Sequence, residues 1–437
     1  MEIQPGLTTQ LSQLKYFPFL RSKLFIKNYS FYWIAALSYS LFFIVSLFTF
    51  NKATDETIYH YPNILNFYNN GLSAIFNSHY SSANTPLPYY LVALIGKIIG
   101  PGIVQARIFT GIISFSSFIL ASRLLKRKAT PQYTALIILF FPYFFVNSFI
   151  FYVINYAIFF LLISLNILYY TKDSDSIWSN LVVGLFISMA VLCQQFYLVI
   201  PIAIIAARII TIVKNKNNRT SGLFKKLIVN NLFLITPLTI PFIIFFKWHG
   251  ITHPNFYKHT LSFYPATIVA VLVVTGLYFI PVIIQSFKLI NWFNGIVTLA
   301  MATALVLLFR PVFADTQGPG LFTGVTFHIL YLSGNVIKAF PVIGMISLAW
   351  LGILALFIIY RSLRSFYEYA LFFSCTLLAI VYSLNTLIGE RHFIGFFIIL
   401  LLLVLPKIHK KILLPYTVLI SLAGISYYIF FFFLKFN

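Results

Sequence analysis

The sequence predicts an all-α polytopic membrane protein, one domain over residues 1–437, with about thirteen transmembrane helices and a long first outer loop that carries interfacial helices. Three observations predict it. Only 9% of the residues are charged while 60% are hydrophobic, and a soluble domain carries about 25% charged residues. So few charges cannot cover a water-facing surface, so lipid must be the main solvent. Uncharged apolar runs of about 20 residues, the length that crosses a bilayer as a helix, recur along the chain. Finally, Lys and Arg concentrate in alternate connections between those runs.

Residues 29–50 carry no charge and form the first span. Their apolar core is too long for a cleavable signal and no small-residue cleavage site follows, so the segment is expected to be retained. Residues 51–102 form the first outer loop. Within it, 56–68 places Ile58, Tyr61, Leu65 and Tyr68 on one helical stripe, which suits a helix lying in the interface. Residues 91–99 are apolar but too short to cross, and are also expected at the interface. The remaining spans are predicted at 103–122, 133–148, 151–170, 178–194, 196–213, 228–246, 264–285, 290–309, 335–359, 367–385, 393–406 and 414–434. Later outer loops fall at 247–263, 310–334 and 389–393.

Basic residues orient these spans, because cytosolic loops collect Lys and Arg. With the N-terminus inside, more than two thirds of the 30 basic residues fall on inner connections. The largest inner group is Arg208, Lys214, Lys216, Arg219, Lys225 and Lys226. Asp55, Glu56, Asp315 and Glu390 then lie outside, as do all the histidines except His409. Chemistry is therefore expected on the outer face. The net charge of +22 reflects inner loops beside anionic lipid rather than a nucleic-acid partner. Cys193 and Cys375 fall inside apolar segments and read as small buried hydrophobes.

The first outer loop is the most informative stretch. Asp55 and Glu56 sit at a membrane boundary, followed by His60 and Pro62. Charges near apolar surface are costly and are seldom placed without a partner or a task. One reading is a general base facing a membrane-borne substrate; the other is a pair of solvated acids at a span end.

The pattern Asp55, Glu56, His60, Pro62, then Thr85-Pro-Leu-Pro-Tyr-Tyr90, then Trp248-His-Gly250, then Arg391-His-Phe393 resembles, in order and in membrane side, the GT-C superfamily of glycosyltransferases. Within it the sequence is most similar to the dolichyl-phosphate-glucose alpha-1,2-glucosyltransferase family. Glu390 stands where the eukaryotic members usually carry Asn, and the Trp-x-Gly loop is otherwise divergent.

That resemblance implies a polyprenyl-phosphate sugar donor, a glycan, lipid or protein acceptor, and metal-independent transfer with inversion, with no cofactor. An acceptor hydroxyl needs a base, for which Asp55 is the first candidate and Glu56 the second. The departing prenyl phosphate gains charge that Arg391, helped by His392, would stabilise. His60, Tyr89, Trp248 and Glu390 are the substrate-binding candidates; Glu390 has an equal claim as a structural partner of Arg391. His249, His253 and His259 read as hydrogen-bonding loop histidines rather than a metal cluster. Asp315 reads as a solvated loop acid ahead of an acceptor contact. Asp173-Ser-Asp175 lies in a short inner connector with no nucleotide-binding domain around it.

Two other functions fit a polytopic chain. A transporter or flippase of lipid-linked sugars would place ionisable groups near the midplane and show repeated halves; neither pattern is visible in the sequence. A polysaccharide polymerase or ligase also uses basic outer-loop residues but does not require the early Asp-Glu pair. Compact loops suggest a bacterial plasma membrane, or the endoplasmic reticulum for a eukaryotic chain.

Overall fold

A computed structural model describes residues 29–48, 56–128, 130–171, 176–214, 221–256, 263–286, 290–313, 321–324, 326, 330, 339–384 and 388–434. Asp55, Asp173, Asp175, His259 and Asp315 lie outside the described residues, and of Glu390 the backbone alone is described. The chain divides into two compact units, 1–45 and 46–437. Helix α1 (Tyr29–Phe48), most of which belongs to the first, runs through an apolar stretch that neither Gly nor Pro interrupts.

The second unit is almost wholly helical. It opens with a π-helical turn, Glu56–His60, continued by α2 (Tyr61–Asn70), a 3₁₀ turn (Gly71–Phe76) and α3 (Leu87–Ile99). Short helices thus cover the stretches 56–68 and 91–99. Their buried face, however, is built from Glu56, His60, Asn63, Ile64 and Phe67. The predicted stripe lies off that face, with Ile58 exposed.

Helix α4 (Ile103–Arg127) follows. Next, the stretch expected as one span at 133–148 breaks into a 3₁₀ turn (Gln132–Ala135), α5 (Leu136–Leu139) and α6 (Pro142–Asn147). Pro142 explains the break: it has no N–H to continue the preceding turn and is favoured in the first turn of a helix. Then come α7 (Val153–Tyr170), α8 (Ile177–Val191), α9 (Val199–Lys214), α10 (Ser221–Ile235) and α11 (Thr239–Trp248). Helices α12 (Ala266–Tyr278) and α13 (Ile280–Ser286) meet at 65°, just before Pro281. The last helices are α14 (Trp292–Leu308), α15 (Phe340–Arg361), α16 (Phe366–Tyr382), α17 (Ile394–Val404) and α18 (Lys410–Ile429).

Among the described residues, six helical runs are long and apolar enough to cross a membrane, or seven if α12 and α13 count as one span. This is a multi-pass membrane protein, with fewer full-length spans than the thirteen expected. The difference lies in helices that are apolar but short. Helix α17 has 11 residues, every one of them buried, which is the pattern of a core helix.

Helices in lipid associate by close packing rather than by hydrophobic collapse, and α12 and α15 do so through small residues. A Cβ on Gly276 would stand 1.9 Å from the Leu348 carbonyl oxygen, and one on Gly352 would stand 2.1 Å from that of Leu272. Each glycine thus accepts the other helix's backbone, and any side chain would force the pair apart.

One element breaks the helical rule. Strands β1 (Val312–Phe313), β2 (Leu321–Thr323) and β3 (Ile388–Gly389) form a parallel sheet in the order β1-β2-β3. It ties the predicted outer loop 310–334 to the turn that carries Arg391. Residues that the charge rule assigns to the inner side also gather. Lys128 sits over the Tyr367 ring, Lys214 bonds the Tyr369 hydroxyl, Arg208 bonds Asn180 and Asn231, and Lys407 pairs with Glu368.

Candidate functional site

The candidate site begins with Glu56, whose carboxylate is 1% exposed. The α4 residue Arg107, also 1% exposed, meets it with Nη2 2.5 Å from Oε2 and Nε 3.0 Å from both oxygens. The Phe151 backbone N–H donates to Oε1 at 2.7 Å. Phe151 lies between α6 and α7, where no helical ladder takes up its N–H, so the carboxylate satisfies a buried donor. With its lone pairs engaged by a guanidinium and an amide, Glu56 is fitted to hold position rather than to take a proton from a hydroxyl.

Arg391 reaches the same segment from the other end of the chain. Its guanidinium carbon stands 5.3 Å from the centre of the Tyr152 ring. Tyr152 also packs edge-on against His60, with ring centroids 5.8 Å apart. Glu56 and Arg391 therefore touch consecutive residues, Phe151 and Tyr152, although they are far apart in sequence. Arg391 and His392 occupy a 3₁₀ turn, Glu390–Phe393, that starts directly after β3 and is anchored by the buried Phe393 ring.

Behind Glu56 lies a network of aromatic side chains. His60 Nδ1 is 2.9 Å from the Tyr89 hydroxyl, which is 2.7 Å from Ser82 Oγ. Tyr89 packs edge-on against Tyr80, and Tyr80 stacks on Trp248 with centroids 5.7 Å apart. Burial pushes the Tyr80 and Tyr89 phenols up from their ordinary value, so both stay neutral and can donate. Trp248 is itself buried and donates Nε1–H to the Ile75 carbonyl at 3.0 Å. His249 follows it in the left-handed region (φ 54°) and closes α11, a position that Gly more often takes. His253 packs edge-on against both Trp248 and Tyr80, and its burial lowers its pKa.

The Thr85-Pro-Leu-Pro-Tyr-Tyr90 segment is fastened to the end of α8. Thr85 Oγ1 donates to Val191 O at 2.7 Å, Leu87 N–H to Leu192 O at 2.9 Å, and Gln195 Nε2 to Ala83 O at 2.9 Å. The first two donors satisfy carbonyls that the end of a helix leaves unpaired.

The structure thus brings Glu56, His60, Tyr89 and Arg391 together around residues 151–152, and it places Trp248 one ring layer further back. In this conformation Tyr89 and Trp248 are wall residues, buried on all sides. Arg107 is the residue that sequence reading misses. The available signal was an arginine at the start of a span on the outer side, against the charge rule, with no acid in the first turn of its own helix. Among the described residues, no three His, Cys, Asp or Glu side chains gather as metal ligands would.

No family model matches the chain, and no curated protein matches it. Two solved structures are similar, both of ArnT from Cupriavidus metallidurans. The apo state has 14% identity and a TM-score of 0.40, over 91% of this chain and 76% of that one. The form bound to undecaprenyl phosphate has 15% identity and a TM-score of 0.40, over 90% and 77%.

Proposed function

We propose that this protein is a GT-C glycosyltransferase, which moves a sugar from a polyprenyl-phosphate donor to an acceptor hydroxyl at the non-cytosolic membrane face, with inversion. The observation that carries the reading is the meeting of an early acid and a late arginine on one short segment, Glu56 at Phe151 and Arg391 at Tyr152. A transfer of this kind needs a carboxylate on one side of the anomeric carbon and a cation on the other, at membrane level.

In this reading Asp55 is the base. As the acceptor oxygen attacks the anomeric carbon, Asp55 takes its proton, and the bond from that carbon to the donor phosphate oxygen breaks. Glu56, held by Arg107, anchors the backbone next to Asp55. Arg391 and His392 bind the departing prenyl phosphate, a planar guanidinium suiting two phosphate oxygens at once. His60 and Glu390 contact the sugar or the acceptor, while Tyr89 and Trp248 shape the wall behind them. The outward stripe of Ile58, Tyr61, Leu65 and Tyr68 faces lipid.

The test is transfer by the purified protein from a polyprenyl-phosphate sugar, with Asp55→Asn, Glu56→Gln and Arg391→Ala made separately. Loss of the base lowers the rate by roughly 10²–10⁴-fold, so Asp55→Asn is expected to fall that far while binding donor normally. Arg391→Ala is expected to lower both donor binding and rate. Near-normal transfer by all three variants ends the proposal, and consumption of a prenyl-diphosphate oligosaccharide instead would assign the chain to the polymerase or ligase class.

A further inference from the structure

At the end of the second unit opposite the Glu56 site, a cavity of about 440 Å³ opens between α13, the end of α15 and the end of α17. That volume is within the roughly 300–1,000 Å³ of small-molecule sites. The walls are mainly apolar, contributed by Val282, Ile290, Phe357, Ile358, Val404 and Ile408. Three cations, Arg361, Arg364 and Lys407, line the same space.

The site is built rather than incidental. Gln285 clamps one wall: its Nε2 donates to Lys407 O at 2.8 Å and its Oε1 accepts from the His409 N–H at 2.6 Å. Lys407 Nζ is fixed 3.0 Å from both Ser362 O and Ser362 Oγ. The nearby acid, Glu368, is already engaged by the backbone N–H groups of Arg364 and Ser365 and by Lys407 at 3.0 Å. It therefore offsets Lys407 and leaves the two arginines to face the cavity. Arg361 stands over the Phe357 ring, its guanidinium carbon 4.6 Å from the ring centre, so cation and apolar wall adjoin.

We propose that this cavity binds an anionic phospholipid of the leaflet at the basic end of the protein, its phosphate between Arg361, Arg364 and Lys407 and an acyl chain along the apolar wall. A guanidinium pair recognises phosphate oxygens, and basic pockets between spans suit lipid headgroups of that leaflet. The apolar lining favours a lipid over free phosphate, which would leave most of the cavity unfilled. The site is independent of the sugar-transfer chemistry and lies away from it.

The full chain, purified in neutral detergent, is heated with phosphatidylglycerol, with phosphatidylcholine or with inorganic phosphate at equal concentration, and bound lipid is counted by native mass spectrometry. Phosphatidylglycerol is expected to raise the melting temperature and to be retained, and the other two are not. In Arg361→Gln/Arg364→Gln the retention is expected to fall at least tenfold, while Lys410→Gln/Lys411→Gln, which removes two exposed charges outside the lining, keeps it. Ile290→Trp, which fills the cavity without altering a charge, is expected to lose retention too and decides the matter if the arginine variant fails to fold. Equal retention of phosphatidylcholine, an equal shift with phosphate, or full retention in the arginine or Ile290→Trp variant overturns the proposal.

Discussion

The two ends of the second unit each hold an ion pair, and the pairs are built differently. Glu56 and Arg107 are each 1% exposed and share three guanidinium contacts plus an amide. Glu368 and Lys407 are 16% and 25% exposed, meet through one contact at 3.0 Å, and stand among other cations. A buried pair sacrifices hydration that its mutual attraction barely repays, so it is weak evidence of stabilisation. At this end the pair fixes where the Glu56 carboxylate and the Phe151 backbone meet. The basic end, by contrast, holds several cations around a single carboxylate, with Lys410 and Lys411 exposed beside them. Charge is thus used for geometry at one end and for sign at the other.

The largest expected effect breaks the buried pair. Arg107→Met leaves Glu56 buried without its counter-charge, which costs about 3–5 kcal/mol, read as a lower melting temperature in detergent. The double variant Glu56→Met/Arg107→Met removes both charges and is expected to recover part of that stability, since apolar replacement of a buried pair is often neutral or stabilising, while the Phe151 N–H that loses its acceptor retains about 1–3 kcal/mol of the cost. Transfer activity is expected to stay lost in the double variant, because the backbone beside Asp55 no longer has its anchor. A double variant that is both stable and active would reduce the pair to packing and erase the distinction between the two ends.

How much of this was legible in the sequence depends on what each residue type can say alone. Low charge and repeated apolar runs announce a polytopic chain, and Pro62, Pro142 and Pro281 each sit close to a helix start or break. Helical period shows which face is apolar but not what covers it. The stripe through Ile58, Tyr61, Leu65 and Tyr68 was visible, whereas the face that packs inward carries Glu56, His60 and Asn63 and does not look apolar. Length and hydropathy also cannot separate a span from a buried core helix such as α17. At the site, the Asp-Glu pair and Arg391 stood out because charge is scarce here. Tyr152, which packs against Arg391 and His60, is one of 28 tyrosines in an aromatic-rich chain, and Phe151 meets Glu56 only through its backbone N–H. No pattern of side chains could announce either.

A middle-sized effect belongs to Lys128 at the basic end. Burial pushes its pKa down from 10.5 to about 8, with Glu368 opposing the change and Lys407 adding to it. Between about pH 8 and 10.5 the folded chain has released this proton while the unfolded chain still holds it. The unfolded state then binds more protons, so stability rises with pH across that window and is flat below it. The wild type is expected to gain at most about 3 kcal/mol, because each tenfold change in proton affinity is worth about 1.4 kcal/mol. The Tyr367 ring, which favours the charged form, reduces that gain. Lys128→Met is expected to be more stable than wild type at pH 7 and to show a shallower rise in melting temperature from pH 8 to 10. Parallel curves for the two proteins would mean that the lysine is solvated, and that burial does not govern its charge.

The smallest effect sharpens the comparison most directly, because it repeats the first experiment on the half-buried pair. Lys407→Met breaks the contact with Glu368, but water reaches both groups, which brings the pair nearer the roughly 0.2–1 kcal/mol of exposed pairs than the cost of a buried one. Two further hydrogen bonds, to Ser362 O and Oγ, disappear with it. Each is worth about 1 kcal/mol at most where solvent can replace the partner. The loss in melting temperature is therefore expected to be below that of Arg107→Met and to shrink further in high salt, which screens solvent-reached charges and leaves buried ones nearly untouched. Salt is the decisive axis. If Lys407→Met proves as costly as Arg107→Met and equally insensitive to salt, the two ends are built alike, and burial is not what distinguishes the end that carries Glu56 from the end that carries the basic cavity.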